Sequence, residues 1–298
     1  MIELKNIREN VSLAPYTTYK IGGKADYFFT AKNNEDLIKA IETSRKNNVP
    51  FFVLGCGANI LVGDKGFRGL VIHNKSKNFR FENNLLIAEG GAIMEDLINA
   101  SLEKGLSRLE HFVGIPSSVG GAIRQNLHFL SPDRQSTIYI ESVLKEALVL
   151  EKGGVKKVDK DYFKFGYDDS ILHHKKDIFV LETTFNLKKA DKEIIKAQIR
   201  DNLDWRNEKQ PQLNEFPSCG SIFKKIEGVG AGRLIDKCGL KGTRVGGARI
   251  SEKHANYFVN TGNAVAKDIR ELIMFAQEKA LNDTGFKLEP EIGFIGEF

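Results

Sequence analysis

The stretch that decides the fold is LGCGANILV, Leu54 to Val62, in which two glycines stand between two apolar runs. A strand that leads into a glycine loop is typical of dinucleotide sites, where bare amide groups contact a diphosphate. The GxGxxG fingerprint fails here, because position 60 is isoleucine and the residues that follow are strand-like rather than helical. The stretch therefore predicts an α/β protein with a phosphate-binding turn that is not a Rossmann domain.

Two further glycine loops flank this stretch in the sequence. YKIGG lies before it, at residues 19–23, and GIPSSVGG lies after it, at residues 114–121. A single loop of this kind is more often a tight turn than a binding site. Three of them in one α/β segment are more specific, and together they predict a dinucleotide site in which main-chain amides contact the diphosphate.

Composition and charge narrow the class of protein. The 298 residues allow two or three domains, and 41% apolar with 28% charged residues is typical of a folded globular chain. A net charge of +5 without a basic stripe fits an anionic small ligand and disfavours a nucleic-acid module. The start is charged and no apolar run is long enough for a bilayer, so neither a signal peptide nor membrane binding is expected.

The three cysteines, Cys56, Cys219 and Cys238, are far apart and form no CxxC pair. An odd and sparse set argues against a disulfide framework and for a reducing compartment. We therefore expect a cytoplasmic protein, and no metal site is predicted.

Periodicity predicts alternating strands and helices in the first third of the chain. Residues 24–31, 49–55 and 66–73 are strand-like, and residues 33–48 form an amphipathic helix with Asn34 as its cap. This alternation indicates an α/β architecture.

From about Phe79 the pattern changes. The helix that follows NLLIAEGG should end at Gly105, GIPSSVGGA is expected to be a loop, and a hairpin should turn at Gly153-Gly154. A further helix ends before Pro211 and connects to a last α/β unit.

Eight motifs span essentially the whole chain. They are TTYKIGGKADYF, LGCGANILV with GDKGFRGLVI, GIPSSVGGA, GYDDSI, GSIFKK, AGRLIDKCGLKG, GGARISEKHANYFVN and LEPEIGFIG. In this order they resemble the UDP-N-acetylenolpyruvoylglucosamine reductase family of peptidoglycan precursor synthesis, in its shorter class. The resemblance implies a mixed α/β and α+β fold: the FAD-binding fold of the vanillyl-alcohol-oxidase (PCMH) type in two subdomains, 1–78 and 79–190, a connecting helix, 191–212, and a C-terminal α/β substrate domain, 213–298.

The resemblance also implies the reaction and its partners. NADPH reduces FAD, and FAD passes hydride to the enolpyruvyl group of UDP-N-acetylglucosamine enolpyruvate, which becomes UDP-N-acetylmuramate once a proton is added. The implied partners are NADPH and the UDP-sugar, with no nucleic acid and no membrane, and we expect a monomer. The implied FAD contacts are Tyr19, Lys20, Ile21, Gly22, Gly23, Gly55, Cys56, Gly57, Ala58, Asn59, Ile60, Gly114, Ile115, Pro116, Ser117, Ser118, Gly120, Gly121 and Asn126.

Ser221, in FPSCGSIFKK, is open to several roles. It fails the GxSxG pattern of a hydrolase nucleophile, because Phe223 stands where glycine is needed, and by itself it reads as a turn serine. The resemblance implies instead that Ser221 is the proton donor of the reduction and that Glu291 is the active-site glutamate, with Glu289 as a competing choice. The implied substrate contacts are Lys224, Arg244, Tyr257 and Asn260.

The chain departs from the family pattern at Tyr167-Asp168-Asp169-Ser170, where the family has Tyr-Arg-x-Ser. An ionised Asp168 in the site would oppose negative charge on the substrate, since like charges ~4 Å apart cost about 4 kcal/mol at an effective dielectric of ~20. Three outcomes are open. Asp168 points away and Arg124, Arg244 or Arg249 supplies the cation, or Asp168 is protonated, or the protein binds without efficient reduction. We favour the first outcome with Arg124, which lies in the segment of the second glycine loop.

Two other functions stay open. One is a related flavin oxidoreductase with another substrate. The other is a UDP-sugar or flavin-binding protein with weakened catalysis, which would follow if Asp168, in place of the family's arginine, opposes the reaction. Substrate-dependent oxidation of NADPH distinguishes the reductase from both.

Overall fold

The computed structural model describes residues 4–298. Its N-terminal part is a four-stranded sheet against which the apolar face of one helix packs. The elements are β1 (Arg8–Ser12), a 3₁₀ turn (Ala14–Tyr16), β2 (Lys24–Ala31), α1 (Asn34–Lys46), β3 (Phe51–Leu54), β4 (Ile60–Val62) and β5 (Phe67–Asn74). The strand order is β1-β2-β5-β3, and β5 is parallel to both of its neighbours. The glycine loop 55–59 therefore leaves the carboxyl end of β3, where α/β sheets bind ligands.

The middle of the chain forms a second sheet, which is antiparallel. Its elements are β6 (Phe79–Glu82), β7 (Leu85–Glu89), α2 (Met94–Glu103), β8 (Leu106–Ser107), α3 (Val119–Arg124), β9 (His128–Leu130), β10 (Thr137–Tyr139), β11 (Leu144–Glu151), β12 (Gly154–Asp159), α4 (Ile171–His174), β13 (Phe179–Asn186) and β14 (Lys188–Lys189), with 3₁₀ turns at Glu110–Phe112, Ile140–Ser142 and Lys160–Phe163. The sheet order is β12-β11-β13-β7-β6. Helices α2 and α3 bury their apolar residues in one large core with this sheet.

The C-terminal part is smaller and returns to the first sheet region. It contains α5 (Lys192–Lys209), α6 (Ala231–Lys237), β15 (Arg244–Val245), β16 (Ala248–Ile250), β17 (Phe258–Asn260), α7 (Ala266–Thr284) and β18 (Gly293–Ile295). Strand β18 pairs in parallel with β4, and Gly293 lies opposite Ile60. A strand of the predicted C-terminal domain, 213–298, therefore pairs with a strand of the predicted first subdomain, 1–78. The division at 78, 190 and 212 stays a prediction. No helix within residues 4–298 is long and apolar enough to cross a membrane.

Several local predictions hold, and three are wrong. Gly105 follows the end of α2 with φ +64°, as expected for a left-handed residue after a helix. The cap of α1 is Asn33 rather than Asn34, because the Asn33 side chain accepts the Asp36 amide. The hairpin tip is one residue earlier than predicted, since Glu151 pairs with Gly154.

The third wrong prediction concerns GIPSSVGGA, which was expected to be a loop throughout. Only its first half is irregular, and α3 begins at Val119. The Ser118 hydroxyl accepts the Gly121 amide at 3.3 Å and starts the helix. A run of small residues conceals this start, because it carries no apolar periodicity of its own.

Asp64 connects the first part of the chain to the last. Its Oδ1 accepts the Ala266 amide at 2.7 Å and its Oδ2 accepts the Lys267 amide at 2.9 Å, which caps α7. We expect Asp64→Ala to lower the free energy of unfolding by about 0.5–2 kcal/mol, because two helix amides lose their acceptor. Chemical denaturation measures this, with Asp64→Asn, which retains one oxygen, as the matched control. An unchanged stability of the alanine variant would contradict the capping role.

Candidate active site

Most of the predicted site residues line one cavity of about 1310 Å³. The loop between β3 and β4 forms one wall, and the segment from Gly114 to Gly121 forms another. The segment around Ser221 and the segment around Glu291 close it from the C-terminal part. The volume exceeds the ~300–1,000 Å³ that is typical of a pocket for one drug-sized ligand.

The loop after β3 has the geometry of a phosphate cradle. Gly57 has φ +62°, and a Cβ there would lie 2.3 Å from the Tyr16 carbonyl oxygen. No main-chain carbonyl within residues 4–298 accepts the amides of Cys56, Gly57 and Ala58. Free amides beside a left-handed glycine suit an anionic ligand, so these residues fit the diphosphate of a dinucleotide.

The second glycine loop packs directly against the first. A Cβ on Gly55 would lie 2.4 Å from the Ser118 hydroxyl oxygen, and one on Gly120 would lie 3.2 Å from the Gly90 carbonyl oxygen. A side chain at position 55 would displace the Ser118 hydroxyl, so the glycine permits the close approach of the two loops. The predicted residues that line the cavity are Gly55, Cys56, Gly57, Ala58, Asn59, Ile60, Gly114, Ile115, Pro116, Ser117, Ser118, Gly120 and Gly121.

The third predicted loop does not line the cavity. The fully buried Tyr19 donates its hydroxyl to the Phe258 carbonyl at 2.8 Å, and Ile21 is also buried. Gly22 and Gly23 pack against the chain around β4, where a Cβ on Gly23 would lie 2.2 Å from the Asp64 carbonyl oxygen. The predicted dinucleotide contacts at Tyr19, Lys20, Ile21, Gly22 and Gly23 are therefore not supported. Thr18 is the residue of this segment that lines the cavity.

Three other predicted contacts are structural or remote. Asn126 is fully buried and donates to Glu141 and to the Gly166 carbonyl. Asn260 donates to the Tyr19 carbonyl and accepts two amides of the following turn, so its polar atoms are already used. Arg244 is exposed on β15, outside the cavity lining. The sequence could not show this, because each outcome depends on tertiary contacts.

Ser221 and Glu291 come together because their segments run side by side. Phe223 pairs with Pro290, and the Glu291 amide donates to the Ile222 carbonyl at 2.9 Å. Ser221 itself pairs with Tyr257, and Ser221, Tyr257 and Glu291 all line the cavity. The structure thus brings a hydroxyl and a carboxyl to one wall of the site.

The structure decides between the two glutamates of LEPEIGFIG. Glu289 is largely exposed and forms an ion pair with Lys224, which also lines the cavity. Glu291 faces inward, and burial, followed by the negative charge of Asp168, raises its pKa well above the usual value for glutamate. The raised pKa favours the protonated form of Glu291.

Asp168 faces into the site, which contradicts the favoured expectation that it points away. It has φ +51°, and its buried carboxylate lies 3.4 Å from Nδ1 of His128. Arg124 does not replace the missing arginine in this position. Its guanidinium donates to the Leu172 carbonyl and lies 3.4 Å from Nδ1 of His173, so it is engaged with α4.

His128 and Arg206 are among the cavity-lining residues that were not predicted. His128 packs against Tyr139 and Tyr167, with ring centroids 5.3 and 5.1 Å away. Arg206, in the last turn of α5, lies over Phe129 at 5.5 Å and pairs with no carboxylate within residues 4–298. Burial lowers the pKa of this guanidinium from its usual high value. In the sequence, the weak apolar face of α5 predicted only a connecting helix, and no pattern indicated that Arg206 lines a site.

Comparisons with known proteins agree with this geometry. A family model described as the C-terminal domain of UDP-N-acetylenolpyruvoylglucosamine reductase matches residues 210–295, and one described as an FAD binding domain matches residues 25–159. The reductase of Clostridium novyi is 38% identical over 299 residues, covering 100% of this chain and 94% of that protein. The reductase of Caldicellulosiruptor saccharolyticus is 40% identical over 287 residues, covering 96% of this chain and 91% of that protein.

A solved structure shows the same architecture. The crystal structure of UDP-N-acetylenolpyruvylglucosamine reductase from Thermus caldophilus superimposes with a TM-score of 0.81 at 32% identity, covering 97% of this chain and 99% of that one. The predicted fold, an FAD-binding unit followed by a C-terminal domain of this reductase type, is confirmed. The chain belongs to the UDP-N-acetylenolpyruvoylglucosamine reductase family.

Proposed function

We propose that this protein is an FAD-dependent oxidoreductase that uses NADPH to reduce UDP-N-acetylglucosamine enolpyruvate to UDP-N-acetylmuramate in peptidoglycan precursor synthesis. The supporting observation is the convergence of Ser221 and the buried Glu291, whose pKa burial raises, in the same cavity as the free amides of the loop after β3. The full-length similarity to reductases of this name supports the same assignment.

The residues of the two glycine loops fit the cofactor. The amides of Cys56, Gly57 and Ala58 would hold its diphosphate, and the segment from Gly114 to Gly121 would lie against it. When bound, FAD supplies the hydride that adds to the enolpyruvyl double bond.

The chain's own residues would supply the proton and stabilise the charge. Ser221 donates its hydroxyl proton to the substrate carbon that does not receive the hydride, and it regains a proton from water. Glu291, as a neutral acid, donates a hydrogen bond toward the negative charge that develops beside the substrate carboxylate. Lys224 and Arg206 are the cations placed to pair with the anionic groups of the UDP-sugar.

Two further parts of the proposal concern the state of the protein. We take it to act as a monomer in the cytoplasm. The location rests on Cys56, Cys219 and Cys238, which are all unpaired.

Oxidation of NADPH that depends on the enolpyruvyl UDP-sugar tests the proposed function. The matched control is UDP-N-acetylglucosamine, which lacks the enolpyruvyl double bond and should cause no substrate-dependent oxidation. A yellow protein that binds flavin but shows no such oxidation would overturn the assignment.

A second candidate is a flavin and UDP-sugar binder with weakened catalysis, and Asp168 favours it. A buried carboxylate ~4 Å from the developing charge would cost about 4 kcal/mol at an effective dielectric of ~20, which is roughly three decades in rate. The same assay separates the two candidates by the size of the turnover number.

Gly57 gives a direct test of the cofactor site. We expect Gly57→Ala to weaken FAD binding by about 1–2 kcal/mol, or roughly 5–30-fold, because a left-handed φ and a clash with the Tyr16 carbonyl both disfavour a side chain. Titration of the apoprotein with FAD, followed by flavin fluorescence, measures the change. Gly153→Ala is the matched control, because nothing lies within 4 Å of a Cβ there. Equal FAD affinity of the two variants would contradict the cradle.

A further inference from the structure

The cavity contains two carboxyl groups that the fold brings together from distant parts of the chain. Asp168 precedes α4 and Glu291 precedes β18, yet both line the cavity, and the negative charge of Asp168 acts on Glu291. The side chain of Asp168 is only 5% exposed. Two ionised carboxylates in such a position repel each other strongly, so one of them is expected to hold a proton.

The oxygens of Asp168 give independent geometric support for that proton. Oδ2 is buried and has no hydrogen-bond partner within residues 4–298. Buried acceptors nearly always have a partner. A proton on Glu291 supplies one, and the other oxygen, Oδ1, already lies 3.4 Å from Nδ1 of His128.

We propose that Asp168, held by His128, is a positioning residue that keeps Glu291 protonated in the working enzyme. The neutral acid then takes the place of the family's arginine as the donor that faces negative charge on the substrate. This role toward the substrate rests on the proposed function. The shared proton does not, because it belongs to the protein without any ligand.

The charges around the pair favour a protonated Glu291. Burial raises its pKa, Asp168 raises it further, and Lys224 acts in the opposite direction. Lys224 is 43% exposed and paired with Glu289, so its effect is screened. Lys225, a second lysine on the cavity wall, acts on His128 and lowers its pKa further. The remaining groups around the pair are neutral near neutral pH, because burial lowers the pKa of His128 and raises that of the others. They are His128, Tyr139, Tyr167, Cys219 and Tyr257.

Infrared spectroscopy tests the shared proton in the purified flavoprotein without substrate. A protonated carboxyl has its own carbonyl stretch, which we expect near neutral pH in the wild type and which should disappear in Glu291→Gln. In Asp168→Asn the band should titrate away at lower pH than in the wild type, because the charge that retains the proton is gone. An unchanged band in Glu291→Gln, or an unchanged titration in Asp168→Asn, would overturn the proposal.

Two further variants remove the alternative explanations. Tyr167→Phe removes the phenol that also faces Asp168, and the Glu291 band should persist there. Its loss would assign the proton to a network through Tyr167 and overturn the proposal. Asp161→Asn, an exposed carboxylate of the same type, is the matched control and should titrate like the wild type.

The pH profile of the reaction gives a readout that a merely structural role would not move. Because Glu291 must hold a proton, kcat/KM should fall on the alkaline side as that proton is lost. Asp168→Asn should move this alkaline limb to lower pH, whereas a purely structural defect would lower activity at every pH without moving it. A protein that fails to reduce the enolpyruvyl UDP-sugar would overturn the proposed function and leave the infrared result standing.

Discussion

Ser221→Ala is expected to lower kcat by about 10²–10⁴-fold, the usual contribution of a positioned general acid. The structure places Ser221 on the cavity wall beside Tyr257, in a segment that runs alongside the segment of Glu291. Alanine removes the one proton that the proposed mechanism delivers to carbon, while the glycine loops that hold the cofactor stay intact. The loss should therefore fall on kcat, with FAD content and the KM for the UDP-sugar near wild type.

Rapid kinetics separates this effect from a general defect. Reduction of the bound flavin by NADPH should proceed at the wild-type rate in Ser221→Ala, and reoxidation by the enolpyruvyl UDP-sugar should be slow. Ser12→Ala, an exposed serine on β1, is the matched control. Turnover of Ser221→Ala within a few-fold of the wild type would show that another group protonates the substrate.

Arg206→Ala is expected to raise the KM for the UDP-sugar by at least ~30-fold, since removal of one partner from a desolvated charge pair costs about 2–5 kcal/mol. Arg206 lines the cavity and has no carboxylate partner within residues 4–298. A half-buried cation without an ion pair is costly unless a ligand supplies the anion. The diphosphate of the UDP-sugar is the anion that the proposed function provides.

Steady-state kinetics with the UDP-sugar as the varied substrate measures this effect. Arg200→Ala is the matched control, because Arg200 lies on the same helix and is exposed to solvent. The control should behave like the wild type. A KM in Arg206→Ala no higher than in Arg200→Ala would mean that Arg206 only packs on Phe129.

Strands, helix ends and glycine turns of this protein could be predicted from the sequence alone. Strand β2 occupies residues 24–31 as predicted, and α2 ends just before Gly105, because periodicity and a left-handed glycine act within a few residues. The glycine loop after β3 was predicted for the same reason. Gly57 in this loop has a positive φ and lies close to the Tyr16 carbonyl, and both conditions favour glycine.

The motifs and their order along the chain identified the family and the candidate site residues. They identified Ser221, Glu291 and the two glycine loops that meet in the cavity. They also nominated residues 19–23, Asn126 and Asn260, which lie outside the cavity lining. The side chains of Tyr19, Asn126 and Asn260 form hydrogen bonds within the protein, and a sequence pattern does not distinguish that use from contact with a ligand.

Only the tertiary structure decided how the charges of the site are arranged. Asp168 faces Glu291 and His128, Arg124 is engaged with α4, and Arg206 enters the cavity from α5. The physical reason is the range of the interactions. Helix and strand patterns depend on neighbours a few residues apart, whereas burial and pairing of charges depend on segments more than a hundred residues apart, such as those of Asp168 and Glu291. Their electrostatics exist only once the chain has folded.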